Sequence, residues 1–371
     1  MIKITVSTVG DVDALGVRWR ALETRAEPSF FQSWTWTGCL ARERYPDPLL
    51  VEARDGTEII GLALFNRRRR FGRSLAYLGE SGIPSYDRLF IEHNGPLVEV
   101  GRPAELNTAM LGAVERDYDV VLSGLGDTAL AAARGAGVMH LIRTLPAPVI
   151  DLAGLRQSGD DYLDRRSANT RQQIRRSDRA YSATGPLAIA RAATVAEASA
   201  WLEEMSVLHQ ATWTARGEPG CFAEPFFRRF HHELIRRGMP GNEIDLLRIT
   251  AGSRLIGILY NFRHRGRALA YQTGFDYSDD QRSRKPGLTC HHQAIRYYAA
   301  EGADCYDFLA GEDRYKRSLA DKDVTLHWIV GGPPWSPRML ALRARRWVTT
   351  KVRTRIESGA ALPRPFRPDG E

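Results

Sequence analysis

The sequence predicts a mixed α/β protein in which one unit of strands and helices occurs twice. Three observations support this fold class. Residues 50–77 and 246–271 spell nearly the same β-hairpin. Each half reads as strand, helices, antiparallel hairpin, helix and strand, an order typical of mixed α/β domains. The length of 371 residues allows two domains that each bury their own core.

The two hairpins match along most of their length. The first begins LVEARDGTEIIG and ends GRSLAY, and the second begins LLRITAGSRLIG and ends GRALAY. Gly56 and Gly252 occupy the turns, and the pair Asp55-Gly56 is a strong hairpin signal. Unrelated hairpins also share a turn glycine and apolar alternation, so coincidence is the alternative. The length of the match favours a tandem protein whose halves share one ancestral unit.

The first half begins with a strand and two helices. The first helix carries Leu15, Trp19 and Leu22 at helical spacing, and Ser33 is an N-cap candidate for the second. In chain order we predict a strand over 1–9, helices over 12–26 and 30–44, the hairpin, a loop rich in Gly and Pro over 79–96, a helix over 103–117, and strands over 119–125 and 141–149.

An arginine-rich helix over 156–184 is predicted to join the halves, because Gly185-Pro186 ends it. The second half then follows with a strand over 187–191, helices over 195–216 and 225–237, the hairpin from 244, a loop over 277–286, a helix over 287–301 and a strand over 305–309. The predicted domains are 1–155, non-catalytic; 156–185, a basic helical connector; 186–330, catalytic; and 331–371, a basic C-terminal helix and tail.

Composition bounds the class of protein. The net charge of +8 suits an anionic ligand, a nucleic acid or an anionic membrane, and does not choose between them. No run of eighteen apolar residues and no signal-peptide pattern occurs. The four cysteines are scattered without a CxxC motif, which predicts a reduced, cytoplasmic chain with no metal site.

The two halves differ after the hairpin. In the second copy Arg284, Lys285 and Gly287 directly precede a predicted helix, where free N–H groups and the helix dipole favour a phosphate. The first copy has GESGIP at the matching place, without basic residues. The sequence therefore predicts a phosphorylated ligand in the second half; a solvated charged loop is the alternative.

Several motifs in order resemble the GNAT superfamily of N-acetyltransferases, and more narrowly its tandem branch associated with cellulose and exopolysaccharide biosynthesis, related to the Fem-type aminoacyltransferases. The motifs are FQS at 31–33 with Trp36, the hairpin at 50–64, LH at 208–209 with Trp213 and Gly217, Phe222 with Phe230, GFD at 274–276, and YDFLAGE at 306–312 with Tyr315 and Lys316. Together they cover residues 30–325.

The resemblance implies a tandem duplicated acyl-CoA N-acyltransferase (GNAT) fold. It also implies acetyl-CoA or a longer acyl-CoA as donor and a primary amine as acceptor. The donor-binding candidates are Gln272, Thr273, Gly274, Arg282, Arg284, Lys285, Gly287 and Leu288. One departure is that the superfamily loop Gln/Arg-x-x-Gly-x-Gly/Ala is replaced by RSRKPGL at 282–288, with a single glycine. The donor is therefore left open between a CoA thioester and an aminoacyl-tRNA.

Acyl transfer to an amine needs a base, an oxyanion donor and an acid for the leaving thiolate. Asp276 and Glu312 end predicted strands, where α/β sheets place ligands, and are candidate bases; a structural salt bridge is the alternative for each. Backbone groups of 272–274 are candidates for polarising the thioester. Tyr315 is the candidate acid, and Lys316 the candidate for orienting an anionic acceptor or the oxyanion, with a packing tyrosine and a surface lysine as alternatives.

His209 is a further catalytic candidate, although it borders an apolar helix stripe and a core histidine is the alternative. Trp213, Tyr271, Asp307 and Arg175 are the candidates for substrate binding. Arg175 shares a helix face with Arg171 and Arg179, which suits phosphates, an anionic acceptor or RNA; an exposed, charge-balanced face is the alternative.

The predicted C-terminal helix over 338–355 separates an apolar stripe from six basic side chains. This pattern suits an anionic membrane surface, and packing onto the protein body is the alternative. The function predicted from these residues is acyl transfer from acyl-CoA to a primary amine of a small-molecule, sugar or peptide acceptor. The rivals are a Fem-like transferase that uses aminoacyl-tRNA, the case in which nucleic acid would be a partner, and a non-catalytic scaffold in polysaccharide biosynthesis.

Overall fold

One mixed sheet of thirteen strands runs through both halves of the chain in the computed structural model, which describes residues 1–70, 73–102, 104–278, 281–333, 335–337 and 339–341. The strands are β1 (Ile2–Thr8), β2 (Pro48–Asp55), β3 (Glu58–Arg70), β4 (Arg73–Leu78), β5 (Leu97–Val98), β6 (Asp119–Leu125), β7 (Val138–Asp151), β8 (Leu187–Arg191), β9 (Ile244–Ala251), β10 (Arg254–His264), β11 (Arg267–Phe275), β12 (Cys305–Asp307) and β13 (Lys322–Gly332).

Helices cover both faces of this sheet. They are α1 (Val12–Glu23), α2 (Trp34–Cys39), α3 (Ala104–Glu115), α4 (Asp127–Ala136), α5 (Leu152–Ser158), α6 (Ala168–Ser182), α7 (Val195–Ala215), α8 (Pro225–Gly238), α9 (Pro286–Ala300) and α10 (Arg314–Leu319). Within the described residues, no helix is both long and apolar enough to cross a membrane.

The strand order repeats between the halves. β1, β2, β3 and β4 are antiparallel neighbours and β6 lies parallel beside β4; β8, β9, β10, β11 and β12 repeat this pattern. Both hairpins carry a β-bulge at the matching isoleucine, Ile60 in the first copy and Ile256 in the second. The predicted mixed α/β class and the hairpin repeat are therefore both present in the structure, down to the position of an irregularity.

The last strand of each half pairs with the other half. β7, which ends the first half, lies beside β12 of the second half, and β13, which ends the second half, lies beside β6 of the first. β13 pairs along its whole length with residues 138–149 of β7, and this pairing makes the sheet continuous between the halves. The boundaries 1–155 and 186–330 stay predictions, because the sheet is continuous across them.

Two predicted helices are interrupted. Residues 30–44 form a 3₁₀ turn, α2 and a π turn, since Ser33 has an extended backbone and caps α2 by accepting a bond from the Trp36 N–H. Residues 156–184 form the end of α5, a 3₁₀ turn and α6, because Gly159 adopts a left-handed conformation (φ 72°) and Ser167 caps a new helix. A single connector helix was therefore the wrong prediction for this segment.

Aromatic side chains join the two halves beneath the sheet. Phe30 of the first half stacks on Phe262 of the second with ring centroids 4.2 Å apart, and Trp36 contacts both Phe230 and Tyr271 edge-on. All five side chains are buried. Because each large buried apolar side chain contributes about 1.5–3 kcal/mol, this contact holds the halves in a fixed relation.

A long connection between β4 and β5, residues 79–96, crosses from the first half to the second; we call it the bridging loop. Arg44, fully buried, donates to the Gly79 carbonyl and pairs with Asp87. Tyr86 stacks on Phe226 of α8, with ring centroids 4.1 Å apart. The loop is thus packed on both halves, and it positions side chains of the first half against the second. The predicted C-terminal helix lies almost entirely outside the described residues.

Candidate functional site

A cavity of about 580 Å³ opens in the second half, where β11 and β12 separate. The parallel pairing of these strands stops at Leu269 and Asp307, while β11 continues to Phe275 beside β10. The walls of the cavity come from β11, α7, the start of α9, the segment 308–316 and the bridging loop. The size lies within the range of small-molecule sites, and separated strand ends are a usual place for them.

A bulge in β11 lies at the mouth of this separation. Tyr260 pairs with Gln272 and Asn261 pairs with Ala270, so Tyr271 is the extra residue. β4, the matching strand of the first half, pairs with β3 without any register shift. A bulge bends a strand and changes the direction of its side chains. The bulge is therefore a structural difference between the half with the open gap and the half with the closed gap.

In the first half the bridging loop fills the equivalent gap between β4 and β6. Asn94 donates through Nδ2 to the carbonyls of Leu78 (3.2 Å) and Ser123 (3.3 Å), one on each separating strand. Its own N–H donates to the Gly124 carbonyl at 2.9 Å. The predicted asymmetry between the halves therefore has a structural cause: the same loop closes the first gap and lines the second.

The start of α9 forms a basic wall of the cavity. Arg284, Lys285, Gly287 and Leu288 all line it, and their role in binding a phosphate stays a prediction. The Lys285 N–H donates to Ser177 Oγ (2.9 Å), and its ammonium donates to Gln173 Oε1 (2.7 Å) of α6. α6 thus braces the loop before α9.

A second cavity of similar size adjoins this wall. It shares Lys285, Leu288 and Tyr315 with the first cavity. Its remaining lining is polar or basic and consists of Ser167, Asn169, Thr170, Gln173, Arg314 and Ser318. The two cavities together make a long site that passes the N-terminus of α9.

Lys316 and Glu92 meet at the backbone of Ala310. Lys316 Nζ donates to the carbonyls of Phe308 (3.0 Å) and Ala310 (3.3 Å), while the Ala310 N–H donates to Glu92 Oε2 (2.5 Å). Lys316 and Glu92 both line the cavity. Burial raises the pKa of Glu92 to about 7, with the Ala310 bond and the charges of His93 and Lys316 opposing the rise.

Tyr315 lines both cavities and stacks on His291, with ring centroids 5.9 Å apart. Desolvation raises the pKa of the Tyr315 hydroxyl, so it stays protonated and can donate a proton or a hydrogen bond. Burial lowers the pKa of His291 to about 3, which keeps that ring neutral; its Nδ1 lies 2.9 Å from the Tyr306 hydroxyl.

His209 lies in the wall with both ring nitrogens engaged. Nδ1 is 3.1 Å from the Thr273 carbonyl, which can only accept, so the proton resides on Nδ1 and Nε2 faces Cys221 Sγ at 3.4 Å. Burial lowers the pKa of His209. The neighbouring Trp213 lines the cavity beneath the Arg216 guanidinium, 5.5 Å from its ring centroid.

Besides Asp307, five predicted site residues lie outside the cavity lining. Asp276 pairs with Arg254 (3.3 Å); although desolvation works against it, bonds from Ser278 and Arg254 lower its pKa. Glu312, Arg282 and Arg175 are exposed on the surface. Gly274 serves packing, because a Cβ there would meet the Met205 carbonyl of α7 at 2.5 Å. The structure gives none of these five a position at the cavity.

Asp307 is buried behind the cavity and anchors the bridging loop. Its Oδ2 lies 2.9 Å from His93 Nε2 and 2.9 Å from Arg267, and its Oδ1 accepts from the Leu309 N–H (2.8 Å). Its predicted role in substrate binding is replaced in this geometry by positioning. The predicted residues Gln272, Thr273 and Tyr271 do line the cavity, and the Tyr271 hydroxyl accepts from the Phe90 N–H.

Sequence reasoning missed Glu92, Phe90, Arg216 and His291, all of which line the cavity. Glu92 and Phe90 belong to the bridging loop of the first half, far along the chain from the other walls. The signal that could have found them is the loop itself, since a long structureless connection inside a compact protein is unusual and often functional. Among the described residues, no cluster of three or more His, Cys, Asp or Glu side chains could hold a metal.

Comparison with known protein families finds a similarity in the second half. The model of the acetyltransferase (GNAT) domain matches residues 168–317. This stretch of the chain is similar to a GNAT domain. The basic wall and Lys316 lie within the match, as does the rest of the cavity lining except Phe90 and Glu92. Among curated proteins, none matches the sequence.

Solved structures resemble both halves together. FemX is 8% identical over 88% of this chain and 96% of its own, with a TM-score of 0.58. The C-terminal domain of a candidate lysylphosphatidylglycerol synthetase from Agrobacterium fabrum is 11% identical over 90% and 95%, and L-PGS from Bacillus licheniformis is 10% identical over 89% and 96%, each with a TM-score of 0.55. At these identities the likeness concerns the fold, and it confirms the predicted GNAT-like fold class for the whole chain.

Proposed function

We propose that this protein transfers an acyl group from an acyl-CoA thioester to a primary amine, in the cavity of its GNAT domain. One observation supports this most strongly: the gap between β11 and β12 faces the N-terminus of α9. That gap is lined by a basic wall as well as by Lys316 and a buried carboxylate. Acyl transfer needs this combination of an anion site and a proton acceptor.

The basic wall suits the phosphates of the donor. Lys285 and Arg284 supply positive charge beside a fifteen-residue helix whose dipole favours anions at its start. Gly287 brings backbone into the lining without a side chain. The adjoining polar cavity, with Arg314 and Asn169, offers room for further polar groups of a long donor.

The chemistry requires no covalent enzyme intermediate, because a thioester supplies an already activated carbonyl. Tyr315, held protonated, is suited to donate a proton to the leaving thiolate or a hydrogen bond to the developing oxyanion. Lys316 holds the turn at 308–310 through two carbonyls, which supports a positioning role more than the predicted contact with the acceptor. Direct transfer within one ternary complex follows from this arrangement.

Aminoacyl transfer from a charged tRNA is the second candidate. The observation that favours it is the exposed face of α6, where Arg175, Arg176 and Arg179 lie on the helix that braces Lys285. FemX and L-PGS share the fold, and their likeness does not extend to the donor. A phosphate-rich macromolecule would suit both this surface of α6 and the basic wall of the cavity.

Thermal stability with ligands separates the two donors. Acetyl-CoA and longer acyl-CoAs at millimolar concentration should raise the melting temperature, since a ligand that binds only the folded state stabilises it. No shift with any acyl-CoA would contradict the proposal. Binding of tRNA that is lost in Arg175→Ala and kept in Arg282→Ala, a matched exposed arginine, would favour the aminoacyl-tRNA donor instead.

The association with polysaccharide biosynthesis, the cytoplasmic location and the contact of the basic C-terminal segment with an anionic membrane remain predictions from the sequence. The last of these is tested by co-sedimentation of the full chain with vesicles that contain anionic or only zwitterionic lipid. Membrane contact through basic side chains should require the anionic lipid and weaken with salt.

A further inference from the structure

We infer that Glu92, supplied by the bridging loop of the first half, is the catalytic residue that binds the acceptor's ammonium group and removes its proton. This inference rests on the proposed acyl transfer. It gives the first half a direct part in the chemistry, although its own strand gap is closed. The substrate class that it specifies is a primary amine, in its protonated form at neutral pH.

The position of Glu92 supports this role. It is 2% exposed yet lines the cavity, as do Phe90 and Tyr271. Oε2 accepts from the Ala310 N–H at 2.5 Å. Among the described residues Oε1 has no hydrogen-bond partner, so one carboxylate oxygen is fixed and the other is available to a ligand.

Within the described residues, no carboxylate of the second half offers the same combination. Asp276 is outside the lining and paired with Arg254. Asp307 is engaged by His93, Arg267 and the Leu309 N–H. Asp313 lines the cavity but is exposed and lies 3.8 Å from Lys316. Its exposure to solvent distinguishes Asp313 from Glu92, which is 2% exposed.

The surroundings of Glu92 tune it for proton transfer. Burial raises its pKa to about 7, against the bond from Ala310 and the charges of His93 and Lys316, while Asp307 adds to the rise. A general base is most effective when its pKa lies near the working pH. Tyr271 is a further titratable neighbour, and burial raises its pKa so far that it stays neutral.

The bridging loop holds Glu92 rigidly. Asn94 is fixed to both strands of the closed gap in the first half, and His93 is fixed to Asp307 in the second. The Phe90 N–H donates to the Tyr271 hydroxyl, on the bulge of β11. Contacts on both sides of one residue restrict its position, as an effective catalytic group requires.

The proton and electron balance of the step is complete without a further reactant. The Glu92 carboxylate takes one proton from the ammonium, and the freed nitrogen lone pair forms a C–N bond to the thioester carbonyl carbon. The C–S bond then breaks with its electron pair on sulfur. The second nitrogen proton neutralises the thiolate, and Glu92 releases its proton to solvent, so the products are an amide, a thiol and one proton.

The test compares Glu92→Gln with Glu80→Gln in the full-length protein. Glu80 belongs to the same loop and is also a carboxylate with a pKa raised by burial, but it bonds to Ser123 and lies outside the cavity lining. Two measurements are made. One is the release of CoA from acetyl-CoA with benzylamine as acceptor, across about pH 5.5 to about pH 9.5. The other is calorimetric binding of benzylammonium and of benzyl alcohol, its uncharged analogue.

We expect Glu92→Gln to lower kcat/KM for benzylamine by about 10²- to 10⁴-fold. The wild-type rate should rise up to about pH 7 and level off, whereas the variant rate should keep rising as free amine accumulates. Benzylammonium binding should weaken at least about tenfold in Glu92→Gln and persist in Glu80→Gln. Benzyl alcohol binding should be unaffected in either.

Two results would overturn the inference: a wild-type pH profile retained in Glu92→Gln, or benzylammonium binding that is absent from the wild type or equal in all three proteins. Failure of the proposed function looks different. In that case acetyl-CoA neither binds nor turns over in the wild type, and benzylammonium binding still reports on Glu92 by itself.

Discussion

His93 Nε2 lies 2.9 Å from Asp307 Oδ2, so an ion pair joins the bridging loop of the first half to the end of β12 in the second. Asp307 is fully buried. Its pKa is lowered, despite desolvation, by His93 and Arg267, and the pKa of His93 is raised, despite desolvation, by Asp307. Both partners are therefore stabilised in their charged forms, and the position of Glu92 depends on them.

Asp307→Asn should destabilise the fold by about 3–5 kcal/mol near pH 6, because it leaves two buried or partly buried cations without their counter-charge. A raised folded-state pKa means that His93 contributes stability below its unfolded value, near 6.5, and loses it as pH rises through the folded value. The difference from wild type should therefore shrink above that pH. Urea unfolding at several pH values measures it, with the exposed Asp304→Asn as control.

Lys285→Ala should weaken CoA binding about tenfold, which corresponds to about 1.4 kcal/mol, because it removes a cation from the basic wall at the start of α9. Pantetheine, which has no phosphates, should bind both proteins equally. The loss should diminish at high salt, where the wild-type contact is screened. Isothermal titration calorimetry measures each affinity, and Arg282→Ala, which lies outside the lining, serves as the matched control; an equal loss there would contradict a local contact.

Local patterns in the sequence were sufficient for the repeat and for the basic residues at the start of α9. The hairpins, their turn glycines and the basic residues before α9 are set by neighbours in the chain, so period and spacing reveal them. Ile60 and Ile256 even mark the same bulge in both copies. Lys316 was found through the family resemblance and does lie in the cavity.

The place of Glu92 in the cavity, and the pairing of β7 and β13 with strands of the other half, could not be predicted from local patterns. β13 ends in Gly331 and Gly332, which locally indicate a linker, and its strand state depends on pairing with β6 and β7 from the other half. Glu92 has no local pattern, because its pKa and its place in the cavity arise from burial under segments distant in the chain. Tertiary contacts determine both features, and rules based on neighbouring residues do not include those contacts.

Asn94→Ala should cost about 2–3 kcal/mol of unfolding free energy, because the buried carbonyls of Leu78 and Ser123 lose their donor where β4 and β6 separate. The variant should also loosen the bridging loop and lower the amine turnover while leaving CoA affinity unchanged, since the donor wall lies in the other half. Guanidinium unfolding and calorimetry give the two readings. A loss below about 0.5 kcal/mol would show that Asn94 does not hold the gap closed.

Glu115→Gln should stabilise the protein at alkaline pH. Burial raises the pKa of Glu115 to about 8, and its Oε1 has no hydrogen-bond partner. Because the folded-state pKa exceeds the unfolded one, wild-type stability falls as pH rises from about 4.5 to about 8, and the variant escapes that loss. The expected gain is about 2–4 kcal/mol at pH 9 and close to zero at pH 5, measured by urea unfolding. A gain that is the same at both pH values would contradict this origin.

Lys316→Ala should move the pH dependence of turnover as well as its size. The ammonium lowers the pKa of Glu92 by its charge, and it bonds to the carbonyl of Ala310, the residue whose N–H donates to Glu92. Removing it should raise the pKa of Glu92, so the acid limb of the rate profile should shift above pH 7, with kcat reduced about 100-fold and the fold preserved. Pre-steady-state and steady-state CoA release across pH measure both effects. Arg317→Ala, at an exposed neighbour on α10, should change neither. An acid limb that is not shifted in Lys316→Ala would show that Lys316 does not affect the pKa of the proton acceptor.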